Sequence, residues 1–166
     1  GKVIYISTFS KAIAPAIRVS YMVLPKMLLE RYHRECYFYS STVSRIDQRI
    51  LNEFIRDGYF ERHLNKMRKL YKAKHELMLQ CLEPFEGSFR LSGENAGLHL
   101  LLTSLNGFTE KELIQRAREQ QVKVYGLSDS IIREILGNEG TVLLGFGGLE
   151  EKQIVEGIDR LKKAWL

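Results

Sequence analysis

One lysine lies between two strand-like runs near the start of this 166-residue chain, and no other stretch constrains the fold as tightly. Val3-Ile4-Tyr5-Ile6 and Val19-Ser20-Tyr21-Met22-Val23-Leu24 carry the β-branched and aromatic residues that suit strands. Lys11 therefore belongs to a short turn, with Thr8 and Ser10 before it and Arg18 seven residues after it. A lysine that carries an aldehyde cofactor as a Schiff base needs such a setting. Its amine must lie close to fixed anion-binding groups, so that a phosphate is anchored while the aldehyde reaches the nitrogen. Hydroxyl side chains and a guanidinium fork suit a phosphate dianion. Taken alone, Thr8-Phe9-Ser10-Lys11 is better explained as a hairpin turn, with an exposed lysine and two hydroxyls capping loose amides.

The longer stretch is more specific. Thr8-Phe9-Ser10-Lys11, the small-residue turn around Ala14-Pro15, and Arg18-Val19-Ser20-Tyr21 resemble the cofactor-lysine segment of fold-type I pyridoxal-phosphate aminotransferases. The Thr-Phe-Ser-Lys form is similar to that of MocR-type regulators of the GntR family and of aminoadipate-type aminotransferases. Three further blocks follow in the family's order. They are the helix from Phe60 through Glu61-Arg62-His63 and Met67-Arg68 to Tyr71, the strand Ala96-Gly97-Leu98-His99, and Val142 to Leu149. The resemblance implies that Lys11 is the Schiff-base lysine and that Thr8, Ser10 and Arg18 contact the phosphate of pyridoxal 5'-phosphate. Two positions depart from the pattern. Ser20 stands where the family has Gly, and Leu143 stands where many of the aminotransferases carry a carboxylate-gripping arginine. The second departure leans toward a regulator.

The same resemblance implies partners and a boundary. The family's pyridinium-pairing acid, ring-stacking residue and glycine-rich phosphate turn all lie upstream of the lysine segment. The chain is therefore expected to be a C-terminal fragment that does no chemistry by itself. Residues 1–58 are expected to be a remnant of the cofactor-binding large domain with connecting helices, and 59–166 an interdomain helix with the small domain. Two functions follow. One is the effector-sensing, dimerising domain of a cytoplasmic transcription regulator, which senses an amino compound and meets DNA through an N-terminal winged helix outside this chain. The other is the C-terminal part of a free-standing aminotransferase with an amino-compound substrate.

Charge and composition narrow the remaining classes. From Lys26 to Glu76 there are 12 Lys/Arg against 7 Asp/Glu, a surplus equal to the whole net charge of +5. The densest part is Arg62, Lys66, Arg68, Lys69, Lys72 and Lys74. Phe60, Leu64, Met67 and Tyr71 follow helical spacing between these cations, so the basic residues read as the solvated face of an amphipathic helix rather than a nucleic-acid platform. No apolar run reaches the ~18 residues of a membrane span. Cys36 and Cys81 make no metal spacing and are expected to be free thiols. His33, His63 and His75 lie on predicted helices without a partnering cluster, so no metal site is expected. His99 is expected to face solvent or a neighbour, and Arg133 to be a solvated arginine in a loop. Gly145, Gly147 and Gly148 do not match the spacing of a phosphate-binding loop.

The pattern of turns and periods predicts an α+β fold, with helices covering one face of a small, mostly antiparallel sheet. Pro25 opens a helix to about Cys36, and Ser44 caps one that runs to Arg56 before Asp57-Gly58. A long helix covers Tyr59 to Leu82, ahead of Pro84. Strands are predicted at Ser88–Ser92, Gly97–Ser104, Val122–Tyr125 and Thr141–Phe146, with a loop over 126–140. Thr109 and Glu112 form a capping box for a helix ending near Gln121, and the last helix runs from Glu150 to Trp165.

Overall fold

The computed structural model describes residues 2–95, 97–130 and 140–166. The chain divides into two compact units, residues 1–68 and 69–166.

In the first unit, β1 (Tyr5–Thr8) pairs antiparallel with β2 (Ser20–Val23), in a register that sets Tyr5 opposite Val23 and Thr8 opposite Ser20. Pairing starts two residues later than the apolar run suggests, because it extends to the point where Thr8 turns the chain. The connection holds the short helix α1 (Phe9–Ala12) and a 3-10 turn at Pro15–Ile17. Helix α2 (Lys26–Glu35) follows Pro25, whose fixed φ suits a helix start. Helix α3 (Arg45–Arg56) is capped by the Ser44 side chain, which accepts from the Ile46 amide at 3.2 Å. It stops at Asp57-Gly58, where Gly58 takes a left-handed φ of 73° that a side chain would resist. Helix α4 (Tyr59–Leu82) begins in this unit and ends in the second.

The second unit is built on a four-stranded sheet in the order β3 (Phe89–Ser92), β4 (His99–Ser104), β6 (Thr141–Gly145), β5 (Tyr125–Gly126), with every pairing antiparallel. Alternation places Phe89, Leu91, Leu100, Leu102, Val142 and Leu144 on one face. Met78 and Leu82 of α4, Leu113 and Ala117 of α5 (Glu110–Glu119), and Ile154, Ile158, Leu161 and Trp165 of α6 (Glu151–Trp165) share one core with that face. Each fully buried aliphatic side chain contributes about 1.5–3 kcal/mol. The Trp165 indole N–H, which would be costly to leave unpaired, donates to the Leu113 carbonyl at 3.0 Å. The capping box at Thr109 is present in both directions. The Glu112 amide donates to the Thr109 hydroxyl, and the Thr109 amide donates to the Glu112 carboxylate at 2.8 Å.

The sheet is therefore antiparallel and covered by helices, as expected for α+β. Two features differ from the sequence reading. The strand expected over Val122–Tyr125 is reduced to Tyr125–Gly126. Gln121 adopts a left-handed φ of 60° and the Val122 amide returns to the Ala117 carbonyl, so Val122 and Val124 serve the core as packing residues without pairing. Gly126 also sits against the Glu110 carboxylate, the far end of a flexible side chain that would have to shift to admit a Cβ. The second difference is Lys74, assigned above to a solvated face. It is buried at 9% exposure and donates to the Gly147 carbonyl at 3.2 Å. Lys74, Met78 and Leu82 lie four apart on the core stripe of α4, so its stem packs inward and its ammonium reaches a backbone acceptor.

Candidate functional site: the Lys11 loop

The loop that carries Lys11 is closed at both ends by hydrogen bonds around one peptide. The Phe9 amide donates to the Val19 carbonyl at 2.9 Å, and the Thr8 hydroxyl donates to the same oxygen at 3.1 Å. The Thr8 hydroxyl also accepts from the Ser10 amide at 3.2 Å, which makes Thr8 the N-cap of α1. Val19 is buried, so its carbonyl is a costly group to leave unpaired, and it receives two donors.

Phe9 supports the loop from inside the unit. Its ring lies 5.4 Å from Tyr21 and 5.9 Å from Phe60, and Phe60 meets Phe54 at 6.3 Å. Within this frame Lys11 is exposed in the last turn of α1. Arg18 is exposed too and closes the 3-10 turn in a left-handed conformation, with φ 49° and ψ 32°. A residue with a Cβ pays about 1–2 kcal/mol for that conformation. Such strain persists where the surroundings over-determine it, and it concentrates at ligand clamps. Among the described residues neither Lys11 nor Arg18 takes part in an ion pair, and no hydrogen bond engages the Ser10 hydroxyl. The loop thus offers an amine, a guanidinium fork and a hydroxyl, a donor set suited to an aldehyde that bears a phosphate.

The four residues singled out in the sequence, Thr8, Ser10, Lys11 and Arg18, fall on this one loop, but with unequal freedom. The Thr8 hydroxyl is already engaged as donor and acceptor. Val19 was not singled out, and its backbone carbonyl leaves no mark in sequence.

Other candidates lie apart from chemistry. His99 is exposed at the start of β4. Leu143 sits in β6 opposite Leu101 and Tyr125, with no cation in those registers. Gly147 turns its carbonyl to the Lys74 ammonium, whereas a phosphate cradle needs amide donors. Arg133 lies outside the described residues. Cys36 and Cys81 are free, and burial pushes the Cys81 thiol up, with the Asp159 charge adding to it. No group of three metal-ligating side chains forms among the described residues. No described helix is long and apolar enough to cross a membrane.

No protein-family profile matches the chain. Individual proteins do. An uncharacterized HTH-type transcriptional regulator, YdeL of Bacillus subtilis (strain 168), is 44% identical over 166 residues, covering 99% of this chain and 35% of the relative. The probable rhizopine catabolism regulatory protein MocR of Rhizobium meliloti is 28% identical over 100% of this chain and 34% of its own length. Among solved structures, Pyrococcus horikoshii kynurenine aminotransferase, in complex with PMP, superposes with a TM-score of 0.80 at 28% identity, over 99% of this chain and 40% of that one. The chain spans about a third of the length of the regulators it matches. Sequence and fold agree in what the chain fits: part of the fold-type I aminotransferase-like domain of MocR-type transcription regulators.

Proposed function

We propose that this chain is part of the effector-sensing domain of a transcription regulator, in which Lys11 carries pyridoxal 5'-phosphate. The observation that carries the reading is the closed loop on which exposed Lys11 and left-handed Arg18 stand together with the Ser10 hydroxyl. The donor set fits the cofactor: an amine for the aldehyde, and a guanidinium and a hydroxyl for a phosphate dianion. When bound, the cofactor supplies an aldehyde carbon that condenses with an amine and releases water. The chain's own residues do the rest. Lys11 presents the amine, and Arg18 supplies charge and bidentate geometry. Ser10 offers a further donor, and Thr8 with Val19 holds the loop closed.

In this reading residues 1–58 belong to the cofactor-bearing large domain and 59–166 to the connecting helix and small domain. The regulator is a cytoplasmic homodimer that meets DNA through an N-terminal winged helix outside this chain. An amino compound is its effector, because an amine competes with Lys11 for the same aldehyde carbon. The alternative, a free-standing aminotransferase of the aminoadipate type, is disfavoured by Leu143, which provides no carboxylate ligand at the last strand.

The test is made on the full-length protein. It should take up pyridoxal phosphate with a visible absorption band, and its affinity for DNA upstream of its own gene should change when an amino compound displaces Lys11. A protein that binds no cofactor, or whose DNA affinity ignores both cofactor and amino compounds, would contradict the proposal.

A further inference from the structure

We propose that the outer edge of β3, with the cleft beside it, takes an extended segment of a partner protein that is apolar in its middle and basic at both ends. The inference lies wholly within the second unit and does not rest on the reading of Lys11. β3 is an outer strand of the four-stranded sheet, and Arg90, Leu91 and Ser92 carry pairings to β4 alone. The chain's own loop meets the strand through one bridge at its first residue, between Glu86 and Phe89. In an antiparallel ladder alternate residues turn their N–H and C=O groups to the far side, where a further strand can add.

Beside this edge, next to the end of α4, lies a cleft of ≈ 720 Å³. Leu79, Phe85, Phe89 and Leu91 give it an apolar floor, on which Leu79 and Leu91 are only half-buried. Glu76, Glu83, Glu86 and Glu94 line it as well, and all four are exposed. From Glu76 to Glu94 the chain has four glutamates and one arginine, a local charge of −3 within a chain of net +5. Glu76 meets Lys72 at 3.7 Å, whereas among the described residues Glu83, Glu86 and Glu94 enter no ion pair. Charge complementarity therefore calls for a cationic partner, and the floor for an apolar one.

The strand sets the pattern of that partner. Alternation places Phe89 and Leu91 on the cleft face and Arg90 on the opposite face. An added strand would set apolar side chains beside Leu91 on the cleft face. Its residue next to Arg90 would be neutral or acidic, because like charges across a pair repel. Glu86 and Glu94 stand before and after β3, so the cations belong at the two ends of the segment.

The test titrates the full-length protein with the end-capped peptide Lys-Val-Thr-Val-Thr-Val-Lys, by calorimetry at low and high salt. Binding should weaken with salt and should slow amide exchange over residues 89–92. A peptide with Glu in place of both Lys should bind about ten-fold more weakly or worse, as should the lysine peptide to the Glu83→Gln, Glu86→Gln, Glu94→Gln triple variant. These glutamates are exposed, so the variant keeps its fold. N-methylation of the peptide's Val amides and of its Thr amides should differ in effect, one set abolishing binding and the other being tolerated, since only one set faces the edge. Failure of the lysine peptide to bind, equal binding of the Glu peptide or by the triple variant, or equal effects of the two methylations would each overturn the proposal. Self-association of the protein in sedimentation that the triple variant loses, without any peptide binding, would assign the edge to a second copy and overturn it too.

Discussion

Residues 69–166 carry every member of the continuous apolar core, from Met78 and Leu82 to Trp165, whereas residues 1–68 bury only Val19 and Leu51 among their described apolar side chains. The first unit leaves Ile6, Met22, Val23, Tyr37, Phe38 and Tyr39 exposed. Yet the loop that carries Lys11 lies in this sparsely buried unit. There it is held by the Val19 clamp and by a few aromatic contacts around Phe9. The second unit is held by area removed from water, which is non-directional and tolerant. The first depends on a few directional bonds, so small changes there alter geometry more than they alter stability.

The largest expected effect lies in the core. Phe146 is 1% exposed, and Phe146→Ala should cost about 3–5 kcal/mol in chemical denaturation. Ile50 is 59% exposed, and Ile50→Ala should stay within about 0.5 kcal/mol. Comparable costs at the two positions would break the contrast between the units.

A step smaller is the difference in local opening. On this chain alone, amides of β4 and β6 should exchange about a hundred-fold more slowly than those of β1 and β2, a gap of ~3 kcal/mol in opening free energy. Equal protection would show that the strand pair is as firmly held as the core sheet.

Arg18 carries the next effect. Arg18→Ala should weaken pyridoxal phosphate binding by about ten-fold or more, or ~1.4 kcal/mol. Arg18→Lys should recover only part of this, because an ammonium cannot make the bidentate contact. Unchanged affinity would place the phosphate elsewhere.

The smallest effect belongs to the second unit's surface. Thr109→Ala removes the cap of α5 and should cost about 1 kcal/mol. The Thr109 amide, then its hydroxyl, hold the Glu112 carboxyl below its ordinary value. A carboxylate whose folded pKa is depressed contributes stability above its unfolded pKa and loses it as pH falls through the folded value. The penalty of Thr109→Ala should therefore shrink when thermal unfolding is followed below the carboxylate range.

Much of this was legible in the sequence because local chemistry decides it. The Ser44 cap, the Asp57-Gly58 stop, the bounds of α4 and the Thr109 box each need only a few neighbouring residues. The grouping of Thr8, Ser10, Lys11 and Arg18 was legible as spacing. What escaped depends on distant partners. Lys74 reads as a solvated cation until the Gly147 carbonyl is brought to it, although its spacing from Met78 and Leu82 already places it on the core stripe. Val122 and Val124 read as a strand until Gln121 turns the backbone away from the sheet. The engagement of Thr8 with Val19 pairs residues that are eleven positions apart through a carbonyl that every residue type possesses.

The assignment of the cofactor to Lys11 is tested most directly by chemistry on the full-length protein. After incubation with pyridoxal phosphate and reduction with borohydride, mass spectrometry of the digested protein should find the phosphopyridoxyl label on the peptide containing Lys11, and Lys11→Ala should abolish both the label and the visible band. A label that persists in Lys11→Ala, or that maps to another lysine, would contradict the account.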